Sequence, residues 1–590
     1  MSEQRNLILA IVLSVAILFG FQTLFPGDPP PPPPLEAPTA GAPGVDGAIP
    51  GAGTGTASGA APGATGIPGA VPTAAVNRAS AIDAEPRIRI NTPRLHGSIR
   101  LRGAWIDDLT LPDYRQTADP KSPEIELLNP RNAPNPYFVD FGWLNARGSA
   151  VAVPTAETAW VADRDELAPG QPVTLTWDNG AGVTFVRRFE VDANYMFKVE
   201  QSVRNNSDQP LTLHSYGRVS RHGTPETSGF YILHEGMLGS MQEKVIEVDY
   251  DSIADDGDMT EQSRAGWIGF TDKYWMTMLI PDDATAFEGA FRHTYVGGVD
   301  KYQTDFLADP LTIAAGAEVT QTNRLFAGAK EVDLVNDYAE RLAIPLFENT
   351  IDWGWFPFLT KPLFIAIDFF NSLLGNLGLA IIATTIIIKT LFLPLAYKSY
   401  VSMNAMKELQ PEMVKLRERH GDDRQRLQQE MMGLYKKNKV NPVSGCVPIL
   451  LQIPVFFALY KVLFVTIEMR HAPFYGWIHD LSAADPTNLF TAFGLIPWSP
   501  PELMHLGIWP ILMGASMFFL QKMNPTPPDP MQARIMMMLP LVFTFFLARF
   551  PAGLVIYWTA NNLLSIAQQY MIKRRMAAKK QRLAEAGANK

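Results

Sequence analysis

Five apolar stretches after Pro345 constrain this fold more than any other feature of the chain. By hydropathy, each of them is predicted to be a membrane-spanning helix. The fourth is short, but the Phe-Pro-Ala-Gly sequence that separates it from the fifth can form a tight re-entry turn. The five stretches are Leu377–Tyr397, Cys446–Ile467, Gly507–Met523, Ile535–Ala548 and Gly553–Ile572.

Lys389 is a charged residue inside the first of these stretches, with aliphatic residues on both sides. A cation near the centre of a bilayer costs from about 2.5 to well over 10 kcal/mol unless it reaches water or a partner. No Asp or Glu lies within a helical turn of Lys389 in the sequence. A charge kept at this cost indicates a functional role.

A further apolar run, Leu7–Phe25, is uncharged and 19 residues long, which is about the length that spans a hydrocarbon core. It is followed by a Pro-rich sequence and not by a small-x-small cleavage site, and Glu3 precedes it. We therefore predict an uncleaved transmembrane anchor over residues 1–25, with a cleaved signal peptide as the alternative.

Residues 26–345 form an acidic region, with 43 Asp and Glu against 25 Lys and Arg, whereas the remaining segments carry 16 against 25. Residues 26–80 are rich in Pro, Gly and Ala and cannot bury enough apolar surface to fold, so they are predicted to be a linker. Residues 81–345 contain short alternating runs such as Val183–Val191, separated by turn sequences. This pattern predicts a large β-rich domain.

Positive charges predict the orientation of the spans. Lys398–Gly445 contains ten Lys and Arg, and the tail after Met571 contains seven, whereas Glu468–Leu506 contains only Arg470. The first two segments are therefore predicted to be cytoplasmic and the third external. With the anchor, this gives six spans with both termini in the cytoplasm and residues 26–360 in the periplasm of a Gram-negative cell.

Two other segments have helical patterns. In 346–376, the stretch Lys361–Leu374 places its polar residues along one side, which suits a helix lying in the membrane interface. An ordinary packed helix of the β-rich domain is the alternative. The polar residues are Lys361, Asp368, Asn371 and Ser372.

The segment 398–445 has two apolar stripes interrupted at Gly-Asp-Asp, which predicts an antiparallel helical hairpin in the cytoplasm. Its Met residues either join the two helices or form an adaptable apolar surface for a ribosome or an emerging chain. A basic tail over 577–590 follows the last span. The residues predicted for docking are Met403, Met406, Met413, Arg417, Arg424, Met431 and Asp529.

The sequence contains no motif for catalysis. HExxH, GxSxG, GxGxxG and P-loop patterns are absent, and the single Cys has no metal-ligand neighbours. His479 and Asp480 form a pair in a short external loop, where a structural hydrogen bond is the better interpretation. We predict a protein that is not an enzyme and that uses no cofactor, metal or nucleotide.

Six sequence motifs occur in the C-terminal half of the chain. They are Gly421-Asp-Asp-Arg with Gln-Gln-Glu-Met-Met432, Lys439-Val-Asn-Pro442, Gly445-Cys-Val-Pro448, Trp477-Ile-His-Asp-Leu-Ser482, Asp529-Pro-Met-Gln532 and Phe550-Pro-Ala-Gly-Leu554. In this order, they resemble the C-terminal half of the YidC membrane protein insertases over residues 350–576. The N-terminal anchor and the large exported domain resemble the Gram-negative members, in which that domain is a β-supersandwich. The resemblance implies a polytopic α-helical membrane protein of six transmembrane helices, with a five-helix core over 377–576 and a large periplasmic all-β domain.

The resemblance also implies a function, partners and a site. Such a protein inserts, folds and helps assemble inner-membrane proteins, alone or beside the Sec translocon, and its partners include nascent membrane proteins, the ribosome and the lipid bilayer. In the family, a hydrophilic groove in the membrane carries a positive residue, usually Arg, where this chain has Lys389. Thr385 and Trp558 match groove positions, and Tyr557 can supply a hydroxyl from another face.

Two other functions fit parts of the sequence. A small-anion transporter could use Lys389 as a binding site, although transporters usually show internal repeats, which these unequal spans do not suggest. An enzyme acting on carbohydrate could reside in the β-rich domain, because sugar epimerases share the supersandwich fold, but fold alone does not establish function.

Overall fold

The computed structural model describes residues 77–147, 149–229, 233–354, 356–420, 423–438, 440, 447–496, 498, 500–501, 505–524 and 530–588. The predicted anchor over 1–25 and almost all of the predicted linker over 26–80 lie outside these residues. The first described element is the short helix α1 (Arg78–Asp83), whose N-terminus is capped by the side chain of Asn77.

The region after α1 is built from two β-sheets, of 11 and nine strands in the described residues. The first sheet has the order β14-β17-β18-β11-β5-β3-β2-β1-β7, with β19 paired to β11 and β4 paired to β3. Its strands are β1 Arg87–Asn91, β2 His96–Arg100, β3 Trp105–Arg115, β4 Glu124–Leu128, β5 Tyr137–Asn145, β7 Glu166–Leu167, β11 Leu211–His222, β14 Met259–Ser263, β17 Phe287–Val296, β18 Val299–Ala308 and β19 Leu311–Ile313.

The second sheet has the order β13-β12-β15-β16-β20-β10-β9-β8-β6. Its pairings between named strands are antiparallel, and the long central pair joins β10 to β20 from Met196 opposite Phe326 onward. Its strands are β6 Val161–Ala162, β8 Val173–Asp178, β9 Val183–Val191, β10 Met196–Asn205, β12 Gly236–Met241, β13 Lys244–Val248, β15 Gly266–Thr271, β16 Trp275–Ile280 and β20 Glu318–Ala329.

The two sheets form a sandwich around a shared apolar core. Strand β9 has the bounds of the alternating run seen in the sequence, and its side chains are buried at every second position, as that run predicts. The guanidinium of Arg187 on β9 crosses the core and donates to the carbonyl oxygens of Ala104 and Phe141, on the side of the first sheet. The all-β part of the predicted fold class is therefore confirmed.

Ten α-helices follow α1 in the described residues. Helices α2 (Tyr250–Asp256) and α3 (Val332–Arg341) belong to the sandwich region. The others are α4 Pro357–Leu374, α5 Leu377–Leu391, α6 Leu393–His420, α7 Arg424–Lys437, α8 Val447–Val465, α9 Ile508–Met523, α10 Pro530–Leu547 and α11 Ala552–Ala588.

The first predicted span does not run unbroken to Tyr397. The chain bends by 62° between α5 and α6, around Phe392. Pro394 explains the break, because its ring nitrogen cannot donate to the carbonyl of Thr390 and its ring would clash with that carbonyl. In the described residues, α4 is the one helix that is long and apolar enough to span a membrane alone, and α5 with α6 passes the same test as a bent pair.

The segment after α8 contacts the sandwich directly. The backbone N–H of Val332, at the start of α3, donates to the carboxyl of Glu468 at 3.4 Å. The guanidinium of Arg470 donates to the carbonyl of Arg115 at 2.6 Å and lies 5.3 Å from the ring centre of Trp275. The end of α8 and the sandwich therefore lie on the same side of the helical region.

Two contacts made by α8 itself strengthen this junction. The ammonium of Lys461 donates to the carboxylate of Asp352 at 2.5 Å. The ammonium of Lys273, on the sandwich, lies 3.8 Å from the ring centre of Phe464. Burial lowers the pKa of Lys273 to about 8.

A buried ion pair gives the first testable prediction. Arg218 and Asp140 pair at 2.7 Å inside the first sheet, with side chains that are 5% and 3% exposed. Replacing Arg218 with Met is expected to lower the free energy of unfolding by about 3–5 kcal/mol, because the Asp140 carboxylate would remain buried without its partner. The measurement is urea unfolding of the full chain, followed by circular dichroism of the sheets.

The control for that experiment is the double variant Arg218→Met with Asp140→Leu. It leaves no charge unpaired and is expected to lose less stability than the single variant. Equal losses in the two variants would show that packing, and not the uncompensated charge, determines the cost.

The Glu468 carboxyl gives a prediction of pH dependence. Burial, together with the nearby carboxylates of Glu331 and Asp333, raises its pKa from 4.5 to about 7. Between these pH values the folded state binds the proton that the unfolded state has released, so stability falls as the pH rises through this window.

We expect Glu468→Gln to remove this loss while its amide oxygen still accepts from Val332. From pH 5 to pH 8, the wild type should lose on the order of 1–3 kcal/mol more stability than the variant. Urea unfolding at both pH values measures the difference. Parallel pH profiles for the two proteins would contradict the assignment to Glu468.

Candidate functional site

A cavity of about 230 Å³, lined by both polar and apolar side chains, lies among five helices, α5, α6, α8, α9 and α11. We call it the groove. Apolar side chains such as those of Ile388, Phe392 and Val455 line part of it. Its polar lining residues are Thr385, Lys389, Ser399, Tyr400, Gln452, Asn524, Tyr557, Asn561, Ser565, Gln568 and Gln569.

Lys389 projects from the last turn of α5 into the groove. Its ammonium donates to the hydroxyl oxygen of Ser565 at 2.9 Å and to the amide oxygen of Gln452 at 3.3 Å. Within the described part of the chain, no carboxylate is close enough to pair with it. The charge is therefore held by neutral oxygens, and an ammonium has three donors, of which these contacts use two.

Helix α11 supplies most of these neutral groups because it carries a polar stripe at helical spacing. Asn561, Ser565 and Gln568 follow each other by four and three residues and face the groove together. The Ser565 hydroxyl donates to the carbonyl of Asn561 at 2.8 Å. The amide of Gln568 donates to the backbone carbonyl of Lys389 at 3.0 Å, which joins α11 to the end of α5.

Gln569 connects three helices at one end of the groove. Its amide nitrogen donates to the hydroxyl of Tyr400 on α6 at 2.9 Å and to the side-chain oxygen of Asn524, just after α9, at 3.0 Å. Gln569 is itself only 3% exposed. Three wall elements of the groove are therefore held together by one buried amide.

The four residues predicted for the groove have different positions. Thr385 and Tyr557 line it, and each is 2% exposed. Tyr557 lines the groove together with Gln452, the same residue that contacts Lys389. Trp558 is not among the lining residues, and its ring packs at 4.6 Å from Phe456 and 5.8 Å from Phe543.

The residues predicted for cytoplasmic docking do not form one surface in the described part of the chain. Met413 is 7% exposed and accepts from the hydroxyl of Tyr435 on α7 at 3.6 Å, so it joins the two helices of the hairpin. Met403 lines the groove. Met406, Arg417 and Met431 are half-buried. The Arg424 side chain and the whole of Asp529 lie outside the described residues.

The chemistry available at this site is recognition by charge and hydrogen bonding. In the residues that the structure describes, no cluster of three or more His, Cys, Asp or Glu is arranged to hold a metal ion. The groove combines one cation with amide and hydroxyl groups that both donate and accept. Such a set can solvate a polar peptide segment in place of water.

Sequence reasoning identified Lys389 and missed its acceptors. Gln452 lies in α8, 63 residues from Lys389, and Ser565 lies 176 residues from it. One sequence signal was available, since the stripe Asn561, Ser565 and Gln568 recurs at helical spacing within an apolar span. Gln452 has no polar residue three or four positions away in its span, so it shows no comparable pattern.

Two family models match adjacent parts of this chain. The model described as YidC periplasmic domain matches residues 87–366, and the one described as 60Kd inner membrane protein matches residues 369–580. The first match covers the two-sheet sandwich, and the second covers the helices that form the groove.

Similar proteins match over nearly the whole chain. A membrane protein insertase YidC of Methylorubrum extorquens (strain PA1) is 49% identical over 98% of this chain and 96% of its own length. One of Methylobacterium radiotolerans is 49% identical with the same shares covered. One of Granulibacter bethesdensis is 48% identical over 99% of this chain and 100% of its own length.

Proposed function

This chain belongs to the YidC family of membrane protein insertases, and we propose that Lys389 and the neutral groups around it form the path by which its clients enter the membrane. The protein is an insertase and not an enzyme, its clients are membrane proteins, and it lies in the inner membrane with a periplasmic domain. The predicted fold class, a polytopic helical membrane protein with a β-sandwich domain, holds.

The observation that carries the proposal is the ammonium of Lys389 held by Ser565 and Gln452 without a carboxylate among the described residues. A fixed counter-ion would neutralise the charge permanently. Neutral oxygens stabilise it and leave it free to attract an acidic residue of a passing client. One N–H of the ammonium remains for water or for that carboxylate, and a charge-assisted hydrogen bond of this kind is stronger than a neutral one.

Polar side chains in a cavity within the helices lower the barrier for moving a polar segment across the bilayer. Burying one unpaired polar backbone group costs on the order of several kcal/mol in hydrocarbon. The amides of Gln452, Gln568 and Asn561 would replace part of the lost hydration along the path. The segment would then never lie wholly in hydrocarbon.

The apolar part of a client supplies the driving force. Each Leu, Ile, Phe or Val near the centre of a helix contributes roughly −0.3 to −0.6 kcal/mol on insertion. A span of such residues therefore gains enough by partitioning into lipid that hydrolysis of a nucleotide is not required. Exposed apolar side chains on the helices around the groove, such as Ile386, Ile387 and Leu391 on α5, offer a surface along which the span can leave.

We propose the orientation that the positive charges predict, with both termini in the cytoplasm and residues 26–360 in the periplasm. The contacts of Glu468 and Arg470 with the sandwich support it, because they bring the end of α8 to the side of the periplasmic domain. The basic hairpin formed by α6 and α7 then lies in the cytoplasm, where a ribosome or an emerging chain can meet it. The Sec translocon is a further proposed partner, and this chain, alone or beside it, would also help its clients to fold.

The role of the charge can be tested by substitution. Lys389→Ala is expected to slow insertion of clients with acidic translocated tails by roughly tenfold, the loss of one charge-assisted hydrogen bond. Lys389→Arg keeps the charge and should retain most activity. The measurement is protease protection of the client tail in vesicles reconstituted with each variant.

A client whose tail has neutral residues in place of the acidic ones serves as the control. Its insertion should differ little between wild type and Lys389→Ala. Full activity of the Ala variant on the acidic client would exclude the electrostatic role.

The path itself can be tested with photo-crosslinking amino acids. A probe at Thr385, which lines the groove, should capture a stalled nascent membrane protein. A probe at Trp558, packed between Phe456 and Phe543, should capture much less and is the matched control. Equal capture at both positions would contradict the assignment of this cavity, and no capture at either would place the path elsewhere.

A further inference from the structure

The loop between α8 and α9 carries an apolar patch that no other part of the described chain covers. We call residues 489–496 together with Trp498 the apolar loop. Its first part is a 3-10 turn, Leu489–Gly494. Its large apolar side chains are Leu489, Phe493, Leu495, Ile496 and Trp498, which are 45%, 52%, 86%, 50% and 48% exposed.

The base of this loop is fastened to the start of α9. The N–H of Leu489 donates to the carbonyl of Leu506 at 2.8 Å. Asp485, which is 1% exposed, accepts from the ring N–H of Trp477 at 3.0 Å and from the backbone N–H of Trp509, in the first turn of α9, at 2.8 Å. The apolar loop is therefore held at the level at which α9 begins.

The shape of the loop is set by hydrogen bonds and not by burial of its apolar side chains. The N–H groups of Phe493 and Ile496 donate to the carbonyls of Asn488 and Thr491, each at 3.0 Å. Ala492 and Phe493 have left-handed backbone angles, which are costly for residues other than Gly. The loop keeps this conformation although its largest apolar side chains point outward, which indicates that these side chains contact a partner.

The location and composition of the patch identify its partner. The preceding segment contacts the periplasmic domain through Glu468 and Arg470, so the loop lies at the periplasmic end of α9. No charged residue occurs between Asp485 and Glu502. Helix α9 continues the same apolar character outward, with Leu512 45% and Phe519 61% exposed.

We propose that the apolar loop inserts into the periplasmic leaflet of the membrane, at the boundary between headgroups and acyl chains. Trp and other amphipathic or apolar side chains favour this depth, and an uncharged segment meets no electrostatic penalty there. Fixing the loop in the leaflet fixes the depth of α9, which carries Leu520 to the groove and is followed by Asn524 in the groove wall. The loop thus sets the position of one wall of the groove in the bilayer.

The test places an environment-sensitive fluorophore, NBD, at Leu495 through a Leu495→Cys substitution in a Cys446→Ser background. The full-length labelled protein is reconstituted into vesicles of phosphatidylethanolamine and phosphatidylglycerol containing nitroxide-labelled phosphatidylcholine. Lipid contact should give a blue-shifted emission and collisional quenching at least about threefold greater than at a control position, as for a group buried in the interface.

The matched control is NBD at Val161→Cys, because Val161 is 72% exposed and lies on the edge strand β6 of the periplasmic sandwich. Its emission should remain that of a group in water. Quenching at Leu495 no greater than at Val161 would overturn the proposal.

A protein partner or a second copy of this chain would produce a different result. Blue-shifted emission without nitroxide quenching would assign the patch to a protein contact. So would a blue shift that disappears when each vesicle holds few protein copies. Either result would reject insertion of the apolar loop into the leaflet. Quenching that is independent of the protein-to-lipid ratio supports the leaflet.

Discussion

The contact of the Lys389 ammonium with two neutral oxygens sets the requirements for the helices around it. A charge among apolar helices needs oxygen atoms at hydrogen-bond distance, and these must come from side chains because the helical backbone is already paired. Ser565 and Gln452 meet this need from α11 and α8. The polar stripe of α11, the amide of Gln568 on the Lys389 carbonyl and the cavity itself follow from accommodating this one cation.

The sequence allowed the elements to be predicted better than their partners. The alternation over Val183–Val191 predicted a half-buried strand, and β9 has those bounds. Nothing local could show that its neighbour β10 would pair with β20, from Met196 opposite Phe326, since pairing across so long a separation depends on the whole sandwich. Lys389 could be predicted as a site residue because a charge in an apolar run is costly. Gln452, a neutral residue in another span, gives no comparable signal in the sequence.

Differences between prediction and structure have local physical causes. The first predicted span was extended to Tyr397 because hydropathy averages over a window and does not register a single Pro, although Pro394 forces the 62° bend. Trp558 was assigned to the groove on a match of position alone, and the aromatic rings of Phe456 and Phe543 draw it into a packed cluster. Met413 was predicted for docking, but its sulfur accepts a hydrogen bond from Tyr435 inside the hairpin. The sequence pattern does not show which Met residues pack within the hairpin and which face outward.

Helix α6 runs from the bend at Phe392 to His420 as one element of 28 residues, about 42 Å long. Its first turns carry Ser399 and Tyr400 into the groove wall, and its far end carries Met413 into the hairpin. The groove wall and the hairpin therefore belong to one helix. A shift of its first turns would strain the hydrogen bond between Tyr400 and Gln569, and a shift of its later turns would disturb the contact between Met413 and Tyr435.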